Sequence, residues 1–360
     1  MTYYHSKYGN YTRKKKSPNK LIRWGILLFI VLAIIMGYFL YQVVYKVNVW
    51  TPEGEDISIY IPSEATFDDV KNILFEKGLI IHRKDFEWWA SKKDYPNLIK
   101  PGRYIIKGGM NNSELINLLR SGNQVPVMVT FNNVRDIYQM AGKVSKQIEA
   151  DSASITNDLL NPEVLSSMGL TIQTNSIIFI PDSYELYWNT SAGSFISRMY
   201  DEYEKFWNAE RLKKAKKLGM SIAEVVTLAS IVQKETNKND EKALIAGVYI
   251  NRLNRGWRLQ ADPTLVYAIG DFNIKRVLNV HKDYDSPYNT YKYGGLPPGP
   301  ICIPSRSSID AVLENKNEGY LYFCAKDDLS GYHVFAKTNT QHNRNAKKYQ
   351  KALDKMRIYK

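Results

Sequence analysis

The chain has 360 residues, 44% apolar and 12% aromatic, with a formal net charge of +13. That is enough apolar material for a packed core in two or three domains, and it excludes a disordered chain. The charge raises the question of nucleic acid, but no helix-turn-helix, RNP or zinc-finger pattern is present.

The chain opens on a basic tail, residues 1–23. Lys7, Arg13, Lys14, Lys15, Lys16, Lys20 and Arg23 carry about half of the positive excess, with no acid among them. Trp24 to Val44 follows without a charge, and its only amide, Gln42, stands near its end. At 1.5 Å per residue this run spans roughly 31 Å, about the thickness of a bilayer's hydrocarbon core. It reads as a transmembrane helix over residues 24–45. The run is too long for a cleaved signal peptide, and no A-x-A site follows it. The basic flank places the N-terminus in the cytoplasm, and Tyr38, Tyr41, Tyr45 and Trp50 suit the far interface. The expected localisation is single-pass in the plasma membrane, with the large C-terminal part outside the cytoplasm and membrane lipid as one partner.

Residues 48–124 repeat a unit at an offset of about 45 residues. Ile61–Leu74 and Ile106–Leu119 each read as a strand end, a turn, a Thr or Ser cap followed by acids, and a short amphipathic helix. This fits a small α/β module. Its Trp88, Trp89 and Tyr95 are either stacking platforms for a ligand or core residues.

From residue 125 onward the pattern predicts a mixed α+β domain. A strand at Val127–Phe131 leads to a helix around Arg135–Ile148, then a polar run, Asp151–Gln173, with one short helix. Phe195–Trp207 reads as a long amphipathic helix. Ser221 to Thr236 is a buried helix, with Ser221 as N-cap and Glu224 at the capping-box position. Leu228, Ile231, Val232 and Glu235 fall at i, i+3, i+4 and i+7, so Glu235 extends the apolar face. A carboxyl group there is partly desolvated, which favours its protonated form and suits a general acid. The plain alternative is a surface Glu paired with Lys234 or Lys238. A second helix, Glu241–Leu253, follows. Arg258–Thr264 reads as an extended segment turning at Pro263 into a short helix. Gln260 and Asp262 offer hydrogen bonds to a polar ligand, or serve as a satisfied amide and a turn former. Tyr288–Ile301 is rich in Gly and Pro and forms a loop. A helix at Ser307–Asn315, a strand at Tyr320–Ala325, a hairpin to His333–Phe335 and a basic closing helix complete the chain. Cys302 and Cys324 are too few for a disulfide framework, and Cys324 reads as a buried hydrophobe. The five histidines are scattered, so neither a metal site nor a cofactor is expected.

Four ordered motifs, ASIVQKET (229–236), YINRLNRGWRLQADPTLVYAIG (249–270), YNTYKYGGLPPGPI (288–301) and YLYFCAKDDLSGYHVFAKTNTQHN (320–343), closely resemble the MltG/YceG-like family of membrane-anchored endolytic murein transglycosylases. The chain departs from the family pattern at Ser176 and Ile177, where Glu and Gly are usual, with Pro181, Asp182 and Tyr184 in register. It departs again at Ile303-Pro304-Ser305, where Asn-Pro-Gly is usual. The resemblance implies a LysM-like module over 48–124, a YceG-like catalytic domain over 125–360, and Glu235 as the catalytic glutamate. Substrate contacts are expected from Gln260, Asp262, Thr264, Tyr288, Asn289, Thr290 and His333. The partners the resemblance implies are peptidoglycan glycan strands and peptidoglycan synthases (penicillin-binding proteins), not nucleic acid. The implied reaction cleaves the MurNAc–GlcNAc bond to leave 1,6-anhydroMurNAc ends, terminating or trimming nascent strands. Two alternatives stand beside it: a muramidase using water with Asp262 as second carboxylate, and a wall-binding scaffold without chemistry.

Overall fold

The computed structural model describes residues 20–52, 55–274 and 276–356, so Lys7 to Lys16 of the expected tail lie outside it. The fold is mixed α+β and separates into two compact units, Met1–Gln124 and Val125–Lys360.

In the first unit, helix Lys20–Tyr45 is long and apolar enough to cross a membrane. Only its last turns are covered, where Val43 and Val44 are buried. Asn112 donates to the Val43 carbonyl at 2.7 Å and accepts from Asn48 at 2.7 Å, so two buried amides pin that end. Strands Ile57–Ile61 and Gly102–Ile106 pair antiparallel, with Ile57 opposite Ile106. Their period of two sends Ile59, Ile61, Tyr104 and Ile106 into a core shared with helices Phe67–Glu76, Arg83–Lys92 and Asn112–Ser121. Thr66 and Asp69 form the capping box that the repeat predicts. The second cap is Asn111, not a Ser: Asn111 accepts from the Glu114 N–H at 2.9 Å, and the Glu114 carboxylate accepts from the Asn111 N–H at 3.0 Å. Among the three aromatic candidates Tyr95 is core and Trp89 is half-buried, while Trp88 is 39% exposed.

The second unit has one continuous hydrophobic core. Strand Val127–Phe131 forms as expected and pairs antiparallel with Asp182–Leu186, which brings Tyr184 opposite Val129. The following helix is shorter than expected, Ile137–Val144, and the polar run holds two helices, Ser152–Leu160 and Pro162–Ser167. Asn161 explains the division, since it caps the second helix immediately before Pro162. Helices Ala192–Phe206 and Ala209–Leu218 lead to Ile222–Glu235, whose capping box is Ser221 with Glu224 and whose residues Val225 to Val232 are all buried. This helix and Asn239–Asn254 both pack on Arg306–Leu313. A hairpin of Tyr322–Ala325 with His333–Ala336 and the helix Asn339–Lys355 close the unit. Both cysteines are free, and the expectation for Cys324 is corrected: Cys302 is buried, while Cys324 lies on a thinly covered strand and is only half-buried.

Helix Asn239–Asn254 is held close to the segment after Leu313, because Lys316 donates to the Ala243 carbonyl at 3.0 Å. A Cβ at Gly247 would stand 2.3 Å from the Lys316 carbonyl oxygen, a backbone atom with little room to move. Gly247→Ala is expected to destabilise the protein by about 1–3 kcal/mol. Chemical denaturation measures this, and an unchanged midpoint would mean the contact gives way freely.

Candidate active site

Helix Ile222–Glu235 is buried on every side from Val225 to Val232, and Glu235 is its last residue. Leu228, Ile231 and Val232 are fully buried, and Glu235 prolongs their face. Thr236 then leaves the helix with extended dihedrals (φ −147°, ψ 144°). Its hydroxyl accepts from the Lys238 N–H at 3.0 Å and donates to Glu241 at 3.4 Å, which turns the chain into the next helix.

The Tyr249 hydroxyl donates to Glu235 Oε1 at 2.5 Å. Tyr249 is buried and packs edge-on against Phe323 with ring centroids 5.8 Å apart, so the donor is fixed. Part of the Glu235 side chain meets the cleft, but the atoms crowding its carboxyl dominate the electrostatics. This desolvation, joined by the negative charge of Asp262, outweighs the Tyr249 bond and the Arg252 charge, and lifts the Glu235 pKa from 4.5 to about 7. The carbonyl end of the helix acts in the same direction. Because Tyr249 donates to Oε1, the proton of the neutral acid belongs on Oε2. A carboxyl so poised exchanges a proton readily in both directions at neutral pH.

Glu235 and Asp262 line one open cleft of about 370 Å³, together with Lys234, Tyr267, Phe272 and Ile301. Three segments build it, and buried polar side chains clip them together. Ser230, inside the Glu235 helix, accepts from the Ile301 N–H at 2.9 Å and anchors the end of the Gly/Pro loop. Thr290 accepts from the Ala261 N–H at 3.0 Å and meets the Thr264 hydroxyl at 2.8 Å. Asn289 donates to the carbonyls of Lys282 and Tyr284 and accepts from the Tyr291 N–H at 2.9 Å.

These contacts sort the remaining candidates. Asp262 is exposed, opens helix Asp262–Ile269 and accepts a short hydrogen bond from the Tyr291 hydroxyl. Gln260 is exposed, with a left-handed φ of 51° and its N–H donated to the Thr290 carbonyl. Thr264, Asn289 and Thr290 are buried and hydrogen-bond within the protein, which holds the segments of the cleft together. His333 is half-buried on the hairpin. Its backbone N–H donates to Glu241 at 2.6 Å and its Nδ1 lies 3.0 Å from the same carboxylate, which ties the hairpin to the helix after Glu235. Tyr288 stands at a neighbouring cleft, its ring 4.8 Å from that of Tyr267 and its hydroxyl pushed by burial up to about 12. Three contributors escaped the sequence reading. Tyr291 carries a signal inside YNTY, whereas Tyr249 and Arg252 meet Glu235 only through the packing of a second helix.

The raised pKa has a consequence for stability. In the unfolded chain Glu235 ionises near 4.5, and in the folded protein near 7. Between those values the folded state binds more protons, so this residue's contribution falls as pH rises through that window. Glu235→Gln removes the ionisation and keeps an acceptor for Tyr249. Its stability relative to the parent is expected to increase from pH 4.5 to pH 7 and stay level above, by roughly 1–2 kcal/mol after allowing for partial exposure. Melting the two proteins across that range tests this, and a pH-independent difference would refute the desolvated carboxyl.

Residues 59–348 match the YceG-like family. A protein named endolytic murein transglycosylase from Streptococcus pneumoniae (serotype 2, strain D39) is 28% identical, with 89% of this chain and 64% of that protein covered. This chain therefore spans less than two thirds of the pneumococcal relative. A Bacillus subtilis protein of the same name is 29% identical, with 88% of this chain and 91% of that protein covered. A crystal structure of a yceG-like protein from Listeria monocytogenes superposes with a TM-score of 0.52 at 29% identity, covering 81% of this chain and 99% of that one. With the family match taking in well over half of its length, the chain belongs to the YceG-like family.

Proposed function

We propose that this protein is a membrane-anchored endolytic lytic transglycosylase that cuts the MurNAc–GlcNAc bond of peptidoglycan and leaves 1,6-anhydroMurNAc ends. The observation that carries the reading is one desolvated carboxyl, Glu235, with a pKa near 7, facing an open cleft with one oxygen held by Tyr249. The names of the pneumococcal and Bacillus relatives support it. Glu235 Oε2 protonates the glycosidic oxygen. The resulting carboxylate then takes the proton of the muramyl C6 hydroxyl as that oxygen closes onto C1. Asp262, exposed and held by Tyr291, adds negative charge beside the oxocarbenium-like centre.

The scaffold reading required Glu235 to be locked by Lys234 or Lys238 away from a cleft. Lys238 instead lies over the Tyr332 ring at 4.8 Å, and Lys234 and Glu235 both line the cleft. A muramidase remains the second reading on one specific observation, that Asp262 shares the cleft with Glu235. The helix Lys20–Tyr45 serves as the anchor, N-terminus inward, and the β-α-α-β order of residues 57–106 supports the LysM-like reading of the first unit. Glycan strands are the substrate in this reading, and peptidoglycan synthases are the partners that deliver them.

Glu235→Gln is expected to lower turnover by roughly 100- to 10,000-fold with folding retained, while Asp262→Asn keeps substantial activity. Mass spectrometry of the cut glycan should show anhydro ends, lighter by one water than hydrolytic ends. Reducing muramic acid ends, with activity lost in Asp262→Asn, would establish the muramidase instead. A near-normal rate in Glu235→Gln would overturn both enzyme readings.

Orientation is tested separately. Protease added to intact spheroplasts should degrade the region after Trp50 and spare the N-terminus. Protection of the C-terminal region would reverse the topology and remove the wall as substrate.

A further inference from the structure

A second cleft, about half the volume of the first, adjoins the candidate active site within the same unit. Tyr267 lines both. Arg135 lies in the second cleft and stacks at 4.0 Å over Phe272, which lines the first. The two clefts therefore share Tyr267 in their walls and are linked by the Arg135–Phe272 contact. The wall is closely fitted, since a Cβ at Gly299 would stand 2.0 Å from the Gln173 carbonyl oxygen and 3.4 Å from the Tyr288 hydroxyl. Only glycine lets the Gly/Pro loop come this near, and Gln173, Tyr288 and Pro300 line the cleft there.

The lining combines ring faces with neutral hydrogen-bonding capacity. Tyr138 is 61% exposed and Ile172 57% exposed, so two large apolar groups stand in water at the cleft. Arg135 is paired with Asp136 at 3.0 Å, which cancels its charge while leaving further donors. An anionic peptide finds no net positive charge in such a pair. A sugar ring does find complements, because it offers C–H faces to aromatic rings and hydroxyl and acetamido groups to Arg135, Asp136 and Gln173.

We propose that this second cleft is a saccharide subsite, taking the N-acetylated sugar next to the pair being cleaved, with the Tyr138 ring as its platform. The assignment rests on the transglycosylase reading, in which an endolytic cut requires the polymer to extend beyond the reacting sugars.

The test uses the full-length Glu235→Gln protein in detergent, with N-acetylglucosamine oligomers as probes and calorimetry as readout. Tyr138→Ala in that background should weaken hexamer binding roughly threefold to tenfold, the size of one aromatic contact, and leave dimer binding unchanged. Tyr138→Trp should restore the hexamer affinity. Because the Tyr138 ring is largely exposed, the melting temperature should not move. Equal hexamer affinity in Tyr138→Ala and its parent, an equal loss for dimer and hexamer, or a hexamer that does not bind the parent would each overturn the subsite. An active Glu235→Gln overturns the enzyme reading itself. A silent Glu235→Gln with a neutral Tyr138→Ala overturns the subsite alone.

Discussion

Taking the Glu235 carboxyl out of water sets a requirement on everything next to it, because ionising a desolvated acid costs free energy that its neighbours must partly return. The apolar helix Ile222–Glu235 supplies the desolvation, with every residue from Val225 to Val232 buried. Tyr249 returns part of the cost through one hydrogen bond, and Arg252 returns more through its charge. Neither neutralises the group outright, which a direct ion pair would do. Arg252 is kept from that role by its own backbone partners, the carbonyls of Leu321 and Leu259. The balance leaves the pKa near 7, where a single group can act in turn as acid and base.

The second helix and the two following segments are arranged to keep that balance. Thr236 and Glu241 fix the turn immediately after Glu235, and Glu241 also holds His333, so the hairpin bearing Phe323 stays against Tyr249. Ser230 pins the loop end at Ile301, and Thr290 pins the strip that presents Asp262. Buried polar groups of this kind are costly when unpaired, so each acts as a registration point rather than a general adhesive.

The sequence shows periodic and capped features well. The helix before Glu235, its capping box, the strand Val127–Phe131 and the turn into a helix at Pro263 all follow from local chemistry that no distant contact overrides. What local chemistry cannot show is which polar side chains face inward. Thr264, Asn289 and Thr290 stand in two polar strips, and only the fold shows their hydrogen bonds made with one another and with backbone groups. Tyr249 is invisible for the converse reason, since a Tyr on a mostly buried helix looks like core until its hydroxyl is found on Oε1 of a carboxylate 14 positions earlier. The second cap of the repeat is ambiguous in sequence, because Asn111 and Ser113 both satisfy the local rule and only the fold selects Asn111.

Glu235 and Asp262 share one cleft but differ in surroundings, and that difference assigns their work in the proposed reaction. Glu235 is crowded by apolar atoms and holds its proton to neutral pH, whereas Asp262 is exposed and accepts from the Tyr291 hydroxyl. Each carboxylate accepts one phenol hydrogen bond, so burial is what separates the two acids. Asp262 is still a charge. Its field helps to keep Glu235 protonated before bond cleavage, and it favours positive charge on the sugar during cleavage. An intramolecular nucleophile asks for no more than this from a second acid, because the C6 hydroxyl is already attached to the ring it attacks.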